Sequence, residues 1–511
     1  MSPTSPTSSS LNAARRARDL AELERHPHVD VLVVGGGVTG AGVALDAASR
    51  GLSTVLVERH DLAFGTSRWS SKLVHGGLRY LARGQVGIAY ESARERDVLM
   101  RVTAPHLVRP LPMVIPVHRG TGLARALFVR AGAGAGDLLR LLAGTPGTVL
   151  PRPCVLNARQ TLRLLPGITR EGLLGGIVSF DGQLVDDARL VVGLARTAAR
   201  EGARILTRCS AESVTADGAV LRDETTGRTI PLRPRAVVNA TGVHADQLDP
   251  HVRLRPSRGS HLVLDGSVLG RPSAALTVPI DGGTSRFVFA LPQPDGRILA
   301  GLTDEPVDGP VPSVPEVPDG DVDLLLAQIS GPLETPLKRD DVLGSFAGLR
   351  PLVYGAGASA DLSREHAVTV SPNGTVTVVG GKLTTYRAMA EQAVDAAVRA
   401  HGLPAGSCRT RSLPLVGAAP HEELDALDAP RRLVARYGTE AVGVLAEADA
   451  DPTLLTPVVR GITGAELRFA VRHEGAMDTG DLLDRRTRVG LVPAERSAAE
   501  DAAARALDAA G

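Results

Sequence analysis

Val29-Asp-Val-Leu-Val-Val34, followed by Gly35-Gly36-Gly37-Val38-Thr39-Gly40, decides how the N-terminal part of this 511-residue chain folds. The near-continuous aliphatic run reads as a strand buried on both faces, as in a parallel sheet. The glycine turn then opens an alanine-rich helix over 41–50, which Gly51 ends as a left-handed cap. A second strand over 53–57 carries Glu58 at its carboxyl end. Glycines at 35, 37 and 40 in this setting, with an acid 23 positions after Gly35, make a dinucleotide fingerprint. The turn lets the backbone approach a pyrophosphate whose charge rests at the helix N-terminus. Glu58 is suited to accept from the adenosine ribose hydroxyls, and an acid there disfavours a 2′-phosphate. There is one complete fingerprint: Gly355-Ala-Gly357-Ala-Ser-Ala360 follows a turn at Arg350-Pro351 and reads as a loop.

Upstream of the fingerprint, residues 1–28 read as a Ser/Thr/Pro-rich disordered tail and a short polar helix over 12–25. Downstream, the pattern predicts a helix over 188–201 and strands near 203–208, 211–222 and 229–239. Alternation at 257–265, 276–280, 286–291 and 297–301 predicts an antiparallel sheet. Val376-Thr-Val-Val379, Gly380-Gly381 and a helix over 384–400 form a second strand-to-helix unit. Helical periodicity dominates beyond Leu413. The expected organisation is one α/β domain over 29–404 and a helical domain over 405–511. Within the first, dinucleotide-binding parts fall at about 29–115, 185–250 and 340–404, and substrate-sheet parts at about 116–184 and 251–339.

Composition removes several functions. Lys+Arg number 57 against 56 Asp+Glu, and aromatics are only 7 Phe, 5 Tyr and 1 Trp. Phosphate tracking and base stacking are therefore disfavoured, and no nucleic-acid partner is expected. Cys154, Cys209 and Cys408 form no C-x-x-C, which argues against a disulfide framework or structural zinc and for a reducing compartment. Asp449-x-Asp451 lacks the rest of a calcium loop, and no metal site is expected. The longest apolar stretch, Val29–Ala48, is interrupted by glycines and Asp46, so a spanning helix is disfavoured.

Glu58-Arg-His-Asp61-Leu-Ala-Phe-Gly65-Thr66-Ser67-Arg-Trp-Ser70-Ser71-Lys72-Leu73-Val-His75-Gly76-Gly77-Leu-Arg79 offers the hydroxyls, glycines and cations of a loop wrapped around a diphosphate and an isoalloxazine ring. With this loop the chain resembles the FAD-dependent glycerol-3-phosphate dehydrogenases of the aerobic, quinone-linked, bacterial type. Further likeness lies in Ala104-Pro105-His106-Leu107, Asp181-Gly182, Asn239-Ala240-Thr241-Gly242, Gly348-Leu-Arg350-Pro351, Ser363-Arg364-Glu365-His366, Gly380-Gly381-Lys382-Leu383-Thr384 and Asp484-Arg-Arg-Thr-Arg488. The resemblance implies a Rossmann-like FAD-binding domain of the glutathione-reductase/D-amino-acid-oxidase-like type, an antiparallel-sheet substrate domain and a helical C-terminal domain. It places FAD against Gly35, Gly37, Val38, Thr39, Gly40, Glu58 and Arg59, and against Thr66, Ser67, Ser70, Ser71, Lys72, Leu73, His75, Gly76 and Gly77. Ala240, Thr241, Gly242, Gly381, Lys382, Leu383 and Thr384 complete that set.

The implied reaction oxidises sn-glycerol 3-phosphate to dihydroxyacetone phosphate, with hydride passing from C2 to flavin N5 and electrons then to quinone. A phosphate dianion calls for guanidinium forks, for which Arg79 and Arg350 are the first candidates and Arg286 the third. Lys382 would stabilise negative charge at the reduced ring or the substrate. His75 is the candidate general base and His366 the second. Trp69 either stacks near the cofactor or packs the loop. Where the family commonly reads Gly-Thr-Thr-Asp, this chain has Gly301-Leu302-Thr303-Asp304, losing one hydroxyl. The basic amphipathic stretch Arg119–Arg140 is consistent with a peripheral enzyme on the cytoplasmic face of the membrane, or with a core helix edged by arginines. A homodimer is expected by fold analogy. The alternatives are an oxidase passing electrons to oxygen, although the extra internal block of such oxidases is not seen, and an amine or amino-acid oxidase on the same flavin fold.

Overall fold

The computed structural model describes residues 8–77, 80, 84–119, 123–215, 218–280, 287–353 and 366–509. The fingerprint strand runs His28–Val34 and pairs in parallel with Thr54–Glu58 on one side and Thr229–Asn239 on the other. Arg204–Thr207 and Val376–Gly380 extend this sheet in parallel, and His366–Val370 closes one edge antiparallel. A hairpin of Cys209–Thr215 and Gly218–Asp223 joins through Thr229–Asn239 and completes eight strands. The helix Val38–Ser49 is buried along nearly its whole length. Its small residues let it pack closely against Asp187–Arg200 and Tyr386–His401; a Cβ at Gly42 would stand 2.9 Å from the Tyr386 ring.

A second, ten-stranded sheet lies beside the first. Its order is Glu305–Pro306, Ser257–Asp265, Arg297–Gly301, Phe287–Pro292, Ala275–Pro279, Val108–His118, Leu173–Leu184 and Leu73–Val74. Val342–Arg350 adds to Ser257–Asp265, and Cys154–Asn157 to Leu173–Leu184. Leu262, Leu264, Ala290, Ile298 and Ala300 form its core with Leu325 and Ile329 of helix Asp319–Ser330. This sheet takes in Leu73–Val74, Val108–His118 and Val342–Arg350 in addition to strands of the 116–184 and 251–339 stretches. Val108–His118 contains Pro110, Pro112 and Pro116, which ordinarily argue against a strand. They sit at even spacings, so the alternation of backbone N–H groups puts all three missing donors on the same edge. The ladder to Leu173–Leu184 then continues over the full strand.

The C-terminal part is helical, with Arg431–Tyr437, Gly464–His473, Pro493–Asp508 and a π-helical turn over Asp481–Arg486. Leu467, Ala470, Leu482, Leu483, Ala499 and Ala503 give it a core of its own. Among the described residues no helix is long and apolar enough to cross a membrane.

Candidate active site

The carboxyl ends of the parallel strands open into a cavity of about 1340 Å³ between the two sheets. At its first end the fingerprint turn needs its glycines. Gly35 has φ +112°, and a Cβ there would lie 2.6 Å from the Ala240 carbonyl oxygen. A Cβ at Gly40 would lie 1.9 Å from the carbonyl oxygen of Gly35. Val38 N, in the first turn of the helix, donates to Ser67 Oγ at 2.9 Å, which brings the 66–71 loop to the positive end of the helix. Glu58 Oε2 accepts from Gly36 N at 2.7 Å and Oε1 from His60 N at 2.8 Å. Burial holds the Glu58 carboxyl above its usual range, opposed by these two N–H groups.

The cavity wall includes Gly35, Gly37, Val38, Thr39, Glu58, Arg59, Thr66, Ser67, Ser70, Ser71, Leu73, His75, Ala240, Thr241, Gly242, Gly381, Lys382, Leu383 and Thr384. These residues suit FAD: a Cβ at Gly65 or Gly242 would meet nothing within 4 Å, so the backbone there is open to a ligand. Gly40, Lys72, Gly76 and Gly77 are not in the wall, and each has a structural task instead. Gly40 permits the turn. Lys72 is buried, and its Nζ pairs with Asp187 Oδ2 at 3.1 Å. Gly76 leaves room for the Arg96 guanidinium, and its N–H donates to Asp181 Oδ1 at 2.9 Å. Gly77, at φ +81°, packs on Ala89 and Ser92.

Of the candidate catalytic residues, His75, Arg350 and Lys382 face the cavity. Arg79 and Arg286 lie outside the described residues, as do Gly355–Ala360 and Ser363-Arg364-Glu365. Arg350 NH1 bonds Asp304 Oδ1 at 3.1 Å and Ser257 Oγ at 3.2 Å, and NH2 donates to the Thr303 carbonyl at 3.0 Å. The guanidinium is therefore aimed by the strand end that carries the Leu302 departure. Lys382 Nζ stands 4.0 Å from the centroid of the Tyr80 ring and donates to Ser92 Oγ, so it reaches across from the Gly380-Gly381 turn to helix Val86–Val98. His366 is not a wall residue: its Nε2 pairs with Gln392 Oε1 at 2.9 Å, away from the cavity. Trp69 both lines the cavity and packs the loop, stacking on Phe346 at 5.5 Å.

Three further wall residues have no role assigned from the sequence, although Asp181 belongs to the Asp181-Gly182 likeness. Tyr80 carries the Lys382 contact. Asp181 binds Gly76 N and Arg96 NH1. His261 stacks on Phe346 at 4.7 Å, and its Nε2 pairs with Ser71 Oγ at 2.8 Å. Burial, helped by the Lys72 and Arg350 charges, pushes His261 down to about 3, so it is neutral at physiological pH. The one signal for it is a histidine directly before the apolar run Leu262-Val263-Leu264 of strand Ser257–Asp265.

An open cavity at the carboxyl ends of a parallel sheet, with a glycine turn and ribose acid at one end and cations with a histidine at the other, defines an FAD-dependent oxidoreductase. The family profile described as FAD dependent oxidoreductase matches residues 30–396, and that of the C-terminal domain of alpha-glycerophosphate oxidase matches 408–511. Glycerol-3-phosphate dehydrogenase 1 of Mycobacterium tuberculosis is 52% identical over 96% of this chain and 97% of its own. The mitochondrial glycerol-3-phosphate dehydrogenase of Macaca fascicularis is 34% identical over 96% of this chain and 71% of its own. The solved glycerol-3-phosphate dehydrogenase of Bacillus halodurans, complexed with FAD, superposes with a TM-score of 0.75 at 28% identity, covering 98% of this chain and 93% of that one. The chain belongs to the FAD-dependent glycerol-3-phosphate dehydrogenase family, and its cofactor is FAD.

Proposed function

We propose that this protein oxidises sn-glycerol 3-phosphate at C2 to dihydroxyacetone phosphate and passes the electrons to a membrane quinone. The observation that carries the substrate reading is the convergence of Arg350, Lys382 and His75 on one cavity, beside the flavin loop. Bound FAD supplies the two-electron acceptor for C2. Arg350, aimed by Asp304 and Ser257, offers a guanidinium to the phosphate dianion. Asp304 offsets part of its charge, so the phosphate reading also draws on Lys382 and on Arg79. His75, in the cavity wall, takes the C2 hydroxyl proton. Leu302 makes the wall beside Arg350 apolar, which keeps water from the phosphate end.

The quinone reading is supported by helix Leu123–Leu142. Ala131, Gly132, Ala133 and Ala135 line the cavity, while Leu138, Leu141 and Leu142 are exposed. The outer edge near its C-terminal end is leucine and not arginine: Arg140 is buried, bonded to Asp137 Oδ1 at 2.6 Å and to the Thr145 carbonyl. An apolar edge next to the flavin cavity suits contact with lipid, from which a quinone would arrive. A second reading, an oxidase reducing oxygen, is favoured by the match of the C-terminal part to an oxidase domain. Steady-state assay with glycerol 3-phosphate separates them: turnover with a quinone analogue and little peroxide in air supports the first, and stoichiometric peroxide the second. Leu138→Ser with Leu142→Ser is expected to weaken vesicle affinity in co-sedimentation by about 100-fold or more, each buried leucine being worth about 1.5–3 kcal/mol. Unchanged co-sedimentation removes the membrane contact.

A further inference from the structure

The C-terminal domain reaches the flavin loop from the side opposite the cavity. Asp61, at the start of that loop and fully buried, accepts from Arg485 Nε at 2.6 Å and from Arg486 NH1 and NH2 at 2.7 and 2.9 Å. Two residues further on, Arg488 is held at φ +64°, a left-handed conformation that a residue with a Cβ adopts only when its surroundings fix it. Its NH2 donates to the Arg68 carbonyl, its NH1 to the Asp484 carbonyl at 2.7 Å, and its own carbonyl accepts from Arg297 NH1 at 3.2 Å. Its guanidinium carbon lies 5.3 Å from the Trp69 ring, and its Nε 3.9 Å from Asp187 Oδ1.

Asp187 is the link to the cavity. Its Oδ2 accepts from Ser70 N at 3.0 Å, from Ser70 Oγ at 2.7 Å and from Lys72 Nζ at 3.1 Å. Ser70, and Ser71 with its contact to His261, form the cavity wall. Arg68, Lys72 and Arg488 thus bring three buried cations, with the Asp187 carboxylate between Lys72 and Arg488, behind the hydroxyls of Ser70 and Ser71. Crowding by Arg485 and Arg488 adds to burial in pulling Arg68 down to about 9.

We propose that Arg488 is a positioning residue of the FAD site: it fixes the 68–72 loop through the Arg68 carbonyl and Asp187, and adds buried positive charge behind the flavin. The C-terminal domain is then a clamp on the cofactor loop. Removing the guanidinium lets Ser70 and Ser71 move and makes electron gain by the flavin less favourable. The inference rests on FAD occupying the cavity and not on the substrate, so a failure of glycerol 3-phosphate to reduce the enzyme leaves it standing.

The test compares the holoenzyme with R488Q, R488K and R460Q. Arg460 also ties the C-terminal domain to the larger sheet, through Glu495 and Asp265, without touching the flavin loop. The readouts are the FAD dissociation constant after reversible flavin removal and the flavin midpoint potential. R488Q is expected to weaken FAD about tenfold and to make the potential more negative, as loss of one charge-assisted contact implies. R488K should recover part of both, and R460Q should match the unmodified protein. Equal losses in R488Q and R460Q, or wild-type values in R488Q, overturn the proposal. If R488Q does not fold, R488K decides: weaker FAD binding and a more negative potential than in R460Q support it, and values equal to R460Q overturn it.

Discussion

The two walls of the cavity are built by different means. On the parallel-sheet side the wall is backbone: Gly35, Gly37, Ala240, Gly242 and Gly381 bring main chain to the ligand at strand ends. On the antiparallel side it is side chain: His261, Asp304 and Arg350 project from segments far apart in the chain, and Asp304 aims Arg350. An atom added to a backbone wall takes the ligand's own space or strikes neighbouring main chain, whereas a side-chain wall tolerates substitution with graded loss. Binding of the cofactor should therefore fail all at once on the first side, and catalysis should fail in steps on the second.

The sharpest way to break this contrast is Gly35→Val. The new Cβ would stand 2.6 Å from the Ala240 carbonyl oxygen at a φ of +112°, and the protein is expected to purify without flavin; a full complement of FAD by absorbance contradicts it. On the other wall, Arg350→Gln should retain FAD while kcat/KM falls about 100-fold, as loss of a charge-assisted pair to phosphate implies. Equal loss of FAD in both variants would erase the distinction. His75→Asn should slow flavin reduction in single turnover about 100-fold with a smaller change in substrate affinity. An unchanged rate across pH removes His75 as the base.

The smallest expected effect is on stability against pH. Burial pushes His106 and His261 down to about 3, against 6.5 when solvated. As pH falls below 6.5 the unfolded chain takes up protons that the folded protein refuses, so stability drops progressively toward pH 3. Each histidine adds about 1.4 kcal/mol per pH unit to that slope. Asp61 acts in the same direction at lower pH: burial would raise its carboxyl, but pairing with Arg486 and Arg485 outweighs that and lowers it to about 2, so its contribution is intact above 3.8 and lost as pH falls toward 2. Between pH 6 and 4 urea melts should therefore show His261→Gln with a shallower pH dependence than the unmodified protein. An identical slope means that His261 is protonated in the fold.

The same contrast decides which parts of the fold and site are legible in the sequence. The fingerprint turn, Glu58 and the 380–384 turn are local, because backbone chemistry has to be written in consecutive residues. His261 and Asp304 are assembled by strand order; their juxtaposition depends on Ser257–Asp265 lying between Arg297–Gly301 and Val342–Arg350, which no spacing in the sequence records. Lys72 enters the cofactor set through the family resemblance of the loop that carries it; in the structure it has φ +54° and its side chain pairs with Asp187. His366 qualifies as a base by residue type alone, but its strand closes the far edge of the parallel sheet. The Pro-rich strand Val108–His118 is hidden by a composition that usually excludes strands.

The most direct test is anaerobic addition of sn-glycerol 3-phosphate to the purified FAD enzyme while the visible flavin band is followed in a stopped-flow spectrophotometer. Rapid, saturable bleaching that is lost in Arg350→Gln and slowed in His75→Asn is the predicted result. A flavin that stays oxidised with glycerol 3-phosphate, yet bleaches with an amine or amino acid, would contradict the assignment of Arg350, Lys382 and His75 to a phosphorylated polyol.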